Sequence, residues 1–255
     1  MPSFASYPSL KDRTVFVSGG GSGIGASIVE HFAGQGAKVG FVDIDEAAST
    51  ALVKKIAAAG SPTPLFRKAD VRDIKAYQAA IAEVATKLGT ITVLINNAAR
   101  DDRHDLADVT PEFWDERIAV NLRHQFFAIQ AVAPGMKAAG GGSIVNFSSV
   151  SYHTMTARLS VYEAAKAAVI GLTRGLARDL GPDKIRLNAI TPGWIMTQRQ
   201  IDLWLTPEAE ADLMKAQCLK EKVYPPDIAR MALFLASDDS RLITAQNFVV
   251  DGGRM

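Results

Sequence analysis

Seven short apolar runs punctuate the chain: Val15–Val17, Val39–Val42, Pro64–Phe66, Val93–Ile95, Ser143–Phe147, Arg186–Ile190 and Phe248–Val250. They alternate little with polar residues, as strands buried on both faces do. Between most of them, apolar residues recur at helical spacing over Gly25–Gln35, Glu46–Ala59, Ile74–Leu88, Pro111–Ala139, Val161–Asp179 and Pro226–Ala236. Strands alternating with helices predict an α/β fold: a doubly wound parallel sheet of about seven strands, with helices on both faces. No repeat, low-complexity tract or linker divides the chain, so residues 1–255 are expected to form a single domain. The stretch at about 194–224 falls outside the alternation. It mixes Trp194, Met196, Trp204, Leu205, Met214 and Leu219 with charged residues. An insert of this length reads as a substrate lid, with a peripheral helix pair or a subunit contact as the alternatives.

Composition narrows the class. The 255 residues are 48% hydrophobic and 22% charged, enough for one large core. Net charge is +1, and no basic block points to nucleic acid or an anionic membrane. The first ten residues carry no basic n-region and no apolar h-region, so no secretory signal is expected. No window approaches the roughly 18 apolar residues of a membrane span. The single cysteine, Cys218, allows no internal disulfide and fits a reducing, cytoplasmic setting. It reads as buried or idle. No His/Cys/Asp cluster has metal-ligand spacing, so no catalytic metal is expected.

Two local patterns carry chemistry. The first strand run leads directly into Gly19, Gly20, Gly21, Ser22, Gly23, Ile24 and Gly25, and a helix follows. Strand, glycine loop and helix start a Rossmann-type dinucleotide-binding unit, in which free helix N–H groups face a pyrophosphate. The spacing is Gly-x-x-x-Gly-x-Gly (Gly19, Gly23, Gly25). Asp43 closes the second strand run, 18 residues after Gly25. An acidic residue there accepts from ribose hydroxyls and repels a 2′-phosphate, which favours NAD over NADP. Asp43 could instead cap the next helix.

In the second pattern Tyr162 and Lys166 stand one helical turn apart, and Ser149 lies 13 residues before the tyrosine. A phenol is a poor base at neutral pH, with a reference pKa of about 10. A neighbouring ammonium is expected to lower it. The Ser149 hydroxyl can hold a substrate oxygen. The ordinary alternatives are a surface contact for Tyr-x-x-x-Lys, a strand end at Ser148-Ser149 and a helix kink satisfied by Asn121.

Taken in order, these residues resemble the short-chain dehydrogenase/reductase family over nearly the whole chain. Ser18-Gly-Gly-Gly-Ser-Gly-Ile-Gly25 is similar to its Thr-Gly-x-x-x-Gly-Ile-Gly, with Ser18 in place of threonine. Asn96-Asn97-Ala98-Ala99 is similar to its Asn-Asn-Ala-Gly, with Ala99 in place of glycine. The resemblance implies a catalytic tetrad of Asn121, Ser149, Tyr162 and Lys166, with Asn121 organising a proton-relay water and Lys166 also holding the nicotinamide ribose. It implies Asp70-Val71 beside the adenine, and Asn97, Ala98, Pro192, Gly193 and Ile195 along the cofactor. Asp251-Gly252-Gly253 matches the usual C-terminal end.

Asp101-Asp102-Arg103-His104, Trp114-Asp115-Glu116-Arg117-Ile118, Asn121-Leu122-Arg123-His124, the run from Ala131 to Lys137, and Gln217-Cys218-Leu219-Lys220 resemble bacterial sugar 1-dehydrogenases of the xylose type. What this implies is NAD-dependent oxidation of an aldose, pentose or hexose, at the anomeric C1 hydroxyl to the aldonolactone. A polar pocket is then expected from Ser149, Ser151, His153, Tyr162, Asp101, Gln198 and Arg199, with His153 favoured. Asp102, Arg103, His104 and Gln200 are further candidates. The family also implies a homotetramer. A ketoacyl or steroid reductase and a non-catalytic NAD-binding protein are the competing readings.

Overall fold

The computed structural model describes residues 4–255. The elements are β1 (Thr14–Ser18), α1 (Gly23–Gly34), β2 (Lys38–Asp43), α2 (Glu46–Ala58), β3 (Leu65–Lys68), α3 (Ile74–Leu88), β4 (Ile91–Asn96), α4 (Pro111–Ile118), α5 (His124–Ala138), β5 (Gly142–Phe147), α6 (Ser151–Thr154), α7 (Ser160–Leu180), β6 (Ile185–Pro192), α8 (Gln198–Trp204), α9 (Pro207–Ala216), α10 (Pro225–Ala236) and β7 (Asn247–Val250). The strands form one seven-stranded parallel sheet in the order β3-β2-β1-β4-β5-β6-β7.

Successive strand residues point to opposite faces, and each face has its own core. Val15, Val17, Val93, Ile95 and Val145 pack with Ile28 and Phe32 of α1 and Ile228 and Leu233 of α10. Phe16, Leu94, Ile144 and Leu187 pack with Tyr77 and Val84 of α3 and Ile129 and Met136 of α5. Burial on both faces explains the unbroken apolar runs.

The order reverses between β1 and β4, the place where open α/β sheets leave a crevice at their carboxyl ends. Ser18, Asp43, Asn96, Phe147 and Pro192 are the last residues of five neighbouring strands. The glycine loop, Asn97-Ala98, Ser149 and Gly193 each follow one of those ends, whereas Asp70-Val71 follows β3 and Asp251-Gly252-Gly253 follows β7.

One expected helix differs. The run from Pro111 to Ala139 is not continuous: a π turn at Ala119–Arg123 separates α4 from α5. Such turns break the one-side-chain-per-position phase of a helix and occur mostly where a site needs it.

Candidate active site

The glycine loop and the strand ends around it enclose a cleft of about 610 Å³, lined by Gly19, Ser22, Gly23, Ile24, Gly25, Asp43, Asp70, Val71, Asn97 and Ala98 among others. The backbone shapes this cleft. Gly19 has φ +66°, and a Cβ on Gly25 would stand 1.8 Å from the Gly19 carbonyl oxygen. Only glycine permits that approach. The loop delivers the first turn of α1 to the cleft, where its unpaired N–H groups fit a pyrophosphate. Behind it the Ser18 hydroxyl accepts from the N–H of Asn97 and of Ala98, both at 3.1 Å. Asn97 Nδ2 donates to the Gly19 carbonyl at 2.9 Å. The hydroxyl, and not the missing methyl, is what this position uses. Ala99 has negative φ, so its Cβ costs no backbone strain.

Asp43 sits at the rim. One carboxylate oxygen accepts from the Gly21 N–H at 2.8 Å, the other from Asp45 N–H at 3.0 Å. Asp45, not Asp43, caps α2 by accepting from Ala48 N–H. Asp70 is held by Arg72, whose guanidinium keeps the carboxyl below the usual carboxylate range. From there an ion-pair chain crosses the molecule. Arg72 also pairs with Glu116, Glu116 with Arg117, Arg117 with Asp102 at 2.6 Å, and Asp102 with Arg199 at 3.1 Å.

The candidate catalytic side chains meet where β5 ends against α7. Ser148 Oγ donates to the Lys166 carbonyl at 2.7 Å, and Lys166 Nζ donates to the Phe147 carbonyl at 2.9 Å. These two bonds fix strand end to helix and so set Ser149 beside Tyr162. Lys166 Nζ lies 5.5 Å from the Tyr162 ring centroid. Ser149 and Tyr162 line a second cavity of about 370 Å³.

The Tyr162 pKa is raised, not lowered as its spacing from Lys166 predicts. Burial, then the Asp101 carboxylate, push the phenol above its ordinary value, and the Ser149 hydroxyl only partly offsets them. Lys166 is 1% exposed, and burial brings its own pKa down to about 7. Desolvation disfavours both charged forms and is the largest cause of each shift.

Asn121 lies in the π turn. Its side chain accepts from Arg100 N–H at 2.8 Å and donates to the carbonyls of Arg100 and Arg117, each at 3.0 Å. The amide is spent on holding the 99–103 loop to the helix, so it positions the substrate wall. Next to it, His124 is fully buried. Its Nε2 lies 3.0 Å from the Ala98 carbonyl, and burial lowers its pKa to about 3. The imidazole is therefore neutral, and Nε2 donates to Ala98.

The second cavity is built from side chains. Asp101, Arg103, Ser149, Ser151, Thr154, Thr156, Tyr162, Gly193, Trp194, Ile195, Gln200 and Arg254 are in its lining; Ala99, Arg100 and Thr197 face both cavities. Helix α8 roofs the junction. Gln200 Nε2 donates to Asp101 at 2.7 Å, Trp194 Nε1 donates to Gln200 at 2.9 Å, and the Arg103 guanidinium stacks on Trp204 at 4.9 Å.

Several expected site residues lie elsewhere. His153 is exposed and stacks on Tyr152, because α6 turns Ser151 and Thr154, three apart, towards the cavity and His153 away. Gln198 and Arg199 line the dinucleotide cleft, because the Thr197 cap sets the phase of α8. Gly193 and Ile195 line the substrate cavity instead of the cleft, and Pro192 lines neither. His104 is buried against Phe113, with Nε2 3.1 Å from Ser160 Oγ at the start of α7. Cys218 is exposed. Thr154, Thr156, Trp194 and Arg254 went unrecognised as pocket residues. Only Thr154 had a local signal, its i+3 spacing from Ser151. Among the described residues, no His/Cys/Asp/Glu group could hold a metal ion, and no helix is long and apolar enough to cross a membrane.

A glycine cradle at a sheet switch point, joined to a Ser-Tyr-Lys constellation, defines a dinucleotide-dependent oxidoreductase, and the chain belongs to the short-chain dehydrogenase/reductase family. The family model that matches residues 19–254 is described as enoyl-(acyl carrier protein) reductase. The chain is 53% identical to a probable galactose dehydrogenase of Rhizobium meliloti (strain 1021), over 98% of this chain and 97% of that one. It is 50% identical to D-xylose 1-dehydrogenase of Caulobacter vibrioides (strain NA1000 / CB15N), over 98% and 99%. A solved 3-oxoacyl-[acyl-carrier protein] reductase of Brucella melitensis with bound NAD superposes with a TM-score of 0.89 at 32% identity, covering 100% of this chain and 98% of that one.

Proposed function

We propose that the protein oxidises the anomeric C1 hydroxyl of a cyclic pentose or hexose to the aldonolactone, with NAD as the acceptor. The observation that carries this is the cavity on which Tyr162 opens. Its lining sets hydroxyl, carboxylate, guanidinium and amide groups among the apolar side chains of Val150, Leu159, Trp194 and Ile195, and the buried Ser151 hydroxyl in it has no partner among the described residues. Unpaired polar groups at a site select a ligand that pairs them and penalise an apolar one, such as a steroid. Galactose and xylose oxidation by the two relatives supports the same substrate class.

Tyr162 is the general base that takes the hydroxyl proton. Ser149 hydrogen-bonds the same oxygen and steadies its charge. Lys166, with its ammonium 5.5 Å from the Tyr162 ring centroid, would steady the phenolate before it takes that proton and would hold the nicotinamide ribose. When bound, the oxidised dinucleotide supplies the hydride acceptor and a positive charge that favours the phenolate. Gly19 to Gly25 would hold its pyrophosphate, and Asp70-Val71 its adenine end. The raised Tyr162 pKa fixes the sign of the pH dependence: the base works deprotonated, so oxidation accelerates as pH rises.

Asp43 supports NAD over NADP: its carboxylate lines the cleft, where it would accept from ribose hydroxyls and repel a 2′-phosphate. Helix α8 acts as the lid, latched to the 99–103 loop. On the family resemblance the protein is a cytoplasmic homotetramer, which light scattering checks. The function itself is tested by NADH formation with pentoses, hexoses, simple alcohols and steroids. Turnover of aldoses alone is expected; no turnover with any sugar overturns it.

A further inference from the structure

One wall of the substrate cavity comes from the C-terminal tail, far in sequence from every catalytic residue. After β7 the Asp251 carboxylate accepts from the N–H of Gly253 at 2.8 Å and of Met255 at 2.9 Å, folding the tail into a turn. Cys218 N–H donates to the Gly253 carbonyl at 3.0 Å, and Leu219 N–H to the Gly252 carbonyl at 2.9 Å. Gly193 presses against the same turn: a Cβ there would lie 2.6 Å from the Asp251 Cβ. Backbone bonds thus set this tail in place and bring half-buried Arg254 into the cavity lining.

The other charges of that lining are already engaged. Arg100 pairs with Asp102 at 2.7 Å. Asp101 accepts from Gln200 and pairs with Arg199. Arg103 stacks on Trp204 and donates to the Ala157 carbonyl at 3.3 Å. Arg254 alone of these has no hydrogen bond and no ion pair among the described residues. It shares the cavity with the unpartnered Ser151 hydroxyl. A guanidinium carries five donors and no acceptor. Its natural complement is a ligand dense in acceptor oxygens.

We propose that Arg254 is a specificity-determining residue that anchors the sugar from the tail wall, donating to hydroxyl or ring oxygens other than the one that reacts. The role rests on the aldose-oxidation reading and concerns binding, since Arg254 lies outside the Ser149–Tyr162–Lys166 constellation. A residue that grips ground state and transition state alike changes KM and leaves kcat nearly constant.

The test is steady-state kinetics at saturating NAD, with NADH affinity by fluorescence, for the wild type, Arg254→Gln and Arg254→Lys. The turn that carries the residue is made by backbone N–H groups and Asp251, so both variants keep it. Arg254→Gln is expected to raise the KM for the preferred aldose about tenfold or more, the effect of a charged hydrogen bond. Its kcat should stay within about threefold and its NADH affinity unchanged. Arg254→Lys should recover part of the loss. An unchanged KM in Arg254→Gln overturns the anchor, as does an equal shift in KM and NADH affinity, which would make the tail only a brace. Failure of the wild type to oxidise any aldose overturns the functional reading instead, and the anchor with it.

Discussion

The two cavities are built from different materials. The dinucleotide cleft is shaped at its centre by main chain, a glycine loop, a helix N-terminus and the ends of β1, β2 and β4, with side chains such as Asp43 and Asp70 at its rim. Its critical dimension is the gap between Gly25 and the Gly19 carbonyl. The substrate cavity is made of side chains from four separate places: the 99–103 loop, the β5–α7 junction, the segment from Gly193 to Gln200, and the tail at Arg254. Backbone walls admit almost no change and serve a ligand that never varies. Side-chain walls can be exchanged one residue at a time, so specificity can drift without disturbing the fold.

Experiments can press on this contrast, beginning at the seam. Tyr162→Phe should slow oxidation by about 10²–10⁴-fold while NADH binding is retained, measured by turnover and fluorescence titration. A parallel loss of NADH binding would mean that the two cavities are not separable. On the backbone wall, Gly25→Ala should weaken NADH binding by at least about 10²-fold, because the added methyl cannot coexist with the Gly19 carbonyl. Wild-type affinity in that variant would break the comparison outright.

Behind the same wall, neutral His124 makes the cleft acid-sensitive. Burial holds its folded pKa at about 3, against about 6.5 for a solvated imidazole. Between those values the unfolded chain binds the extra proton, so stability falls as pH drops through that window. From pH 6.5 to 5 this one group should remove about 2 kcal/mol. Urea melts of the wild type and His124→Asn at both pH values should show a shallower loss in the variant.

The smallest effect belongs to the side-chain wall. Ser151→Ala should raise the sugar KM severalfold with NADH affinity unchanged. It should leave the unliganded protein as stable as before or slightly more so, since a buried hydroxyl without a partner contributes no bond. Marked destabilisation would show that Ser151 is structural.

The same contrast explains what could be read along the chain. The strands, the glycine cradle and Tyr162–Lys166 are local patterns, each written in a few adjacent residues at period 2 or 3.6. The α3 boundaries at Ile74 and Leu88 were legible because Asp73 caps the helix and Gly89 ends it. The π turn at Ala119–Arg123 was not, since one extra residue in a helical ladder leaves the apolar spacing almost intact. The direction in which His153, Gln198 or Arg199 points depends on a short helix whose phase is set by one cap and by tertiary contacts. Arg254 reaches the cavity only because residues 193, 218, 219 and 251 meet in space. Of these only Asp251 is near it in sequence, and the other three lie more than thirty positions away. The Tyr162 acidity was misjudged for a related reason: a neighbour four residues away is visible in sequence, whereas the depth at which both are buried is not.

The run of alternating charges from Asp70 to Arg199 has a practical consequence for anyone redesigning this pocket. Arg117 is 7% exposed and depends on Asp102 and Glu116 for its counter-charge. A library that randomises the 99–103 loop by itself would leave that buried cation with Glu116 alone in most of its members, and they would lose stability for reasons unrelated to sugar choice. Changing Asp101 or Arg103 loosens the contacts with Gln200, Arg199 and Trp204 that hold α8, whereas Asp102 has to be inherited together with helix α4 as a matched cassette.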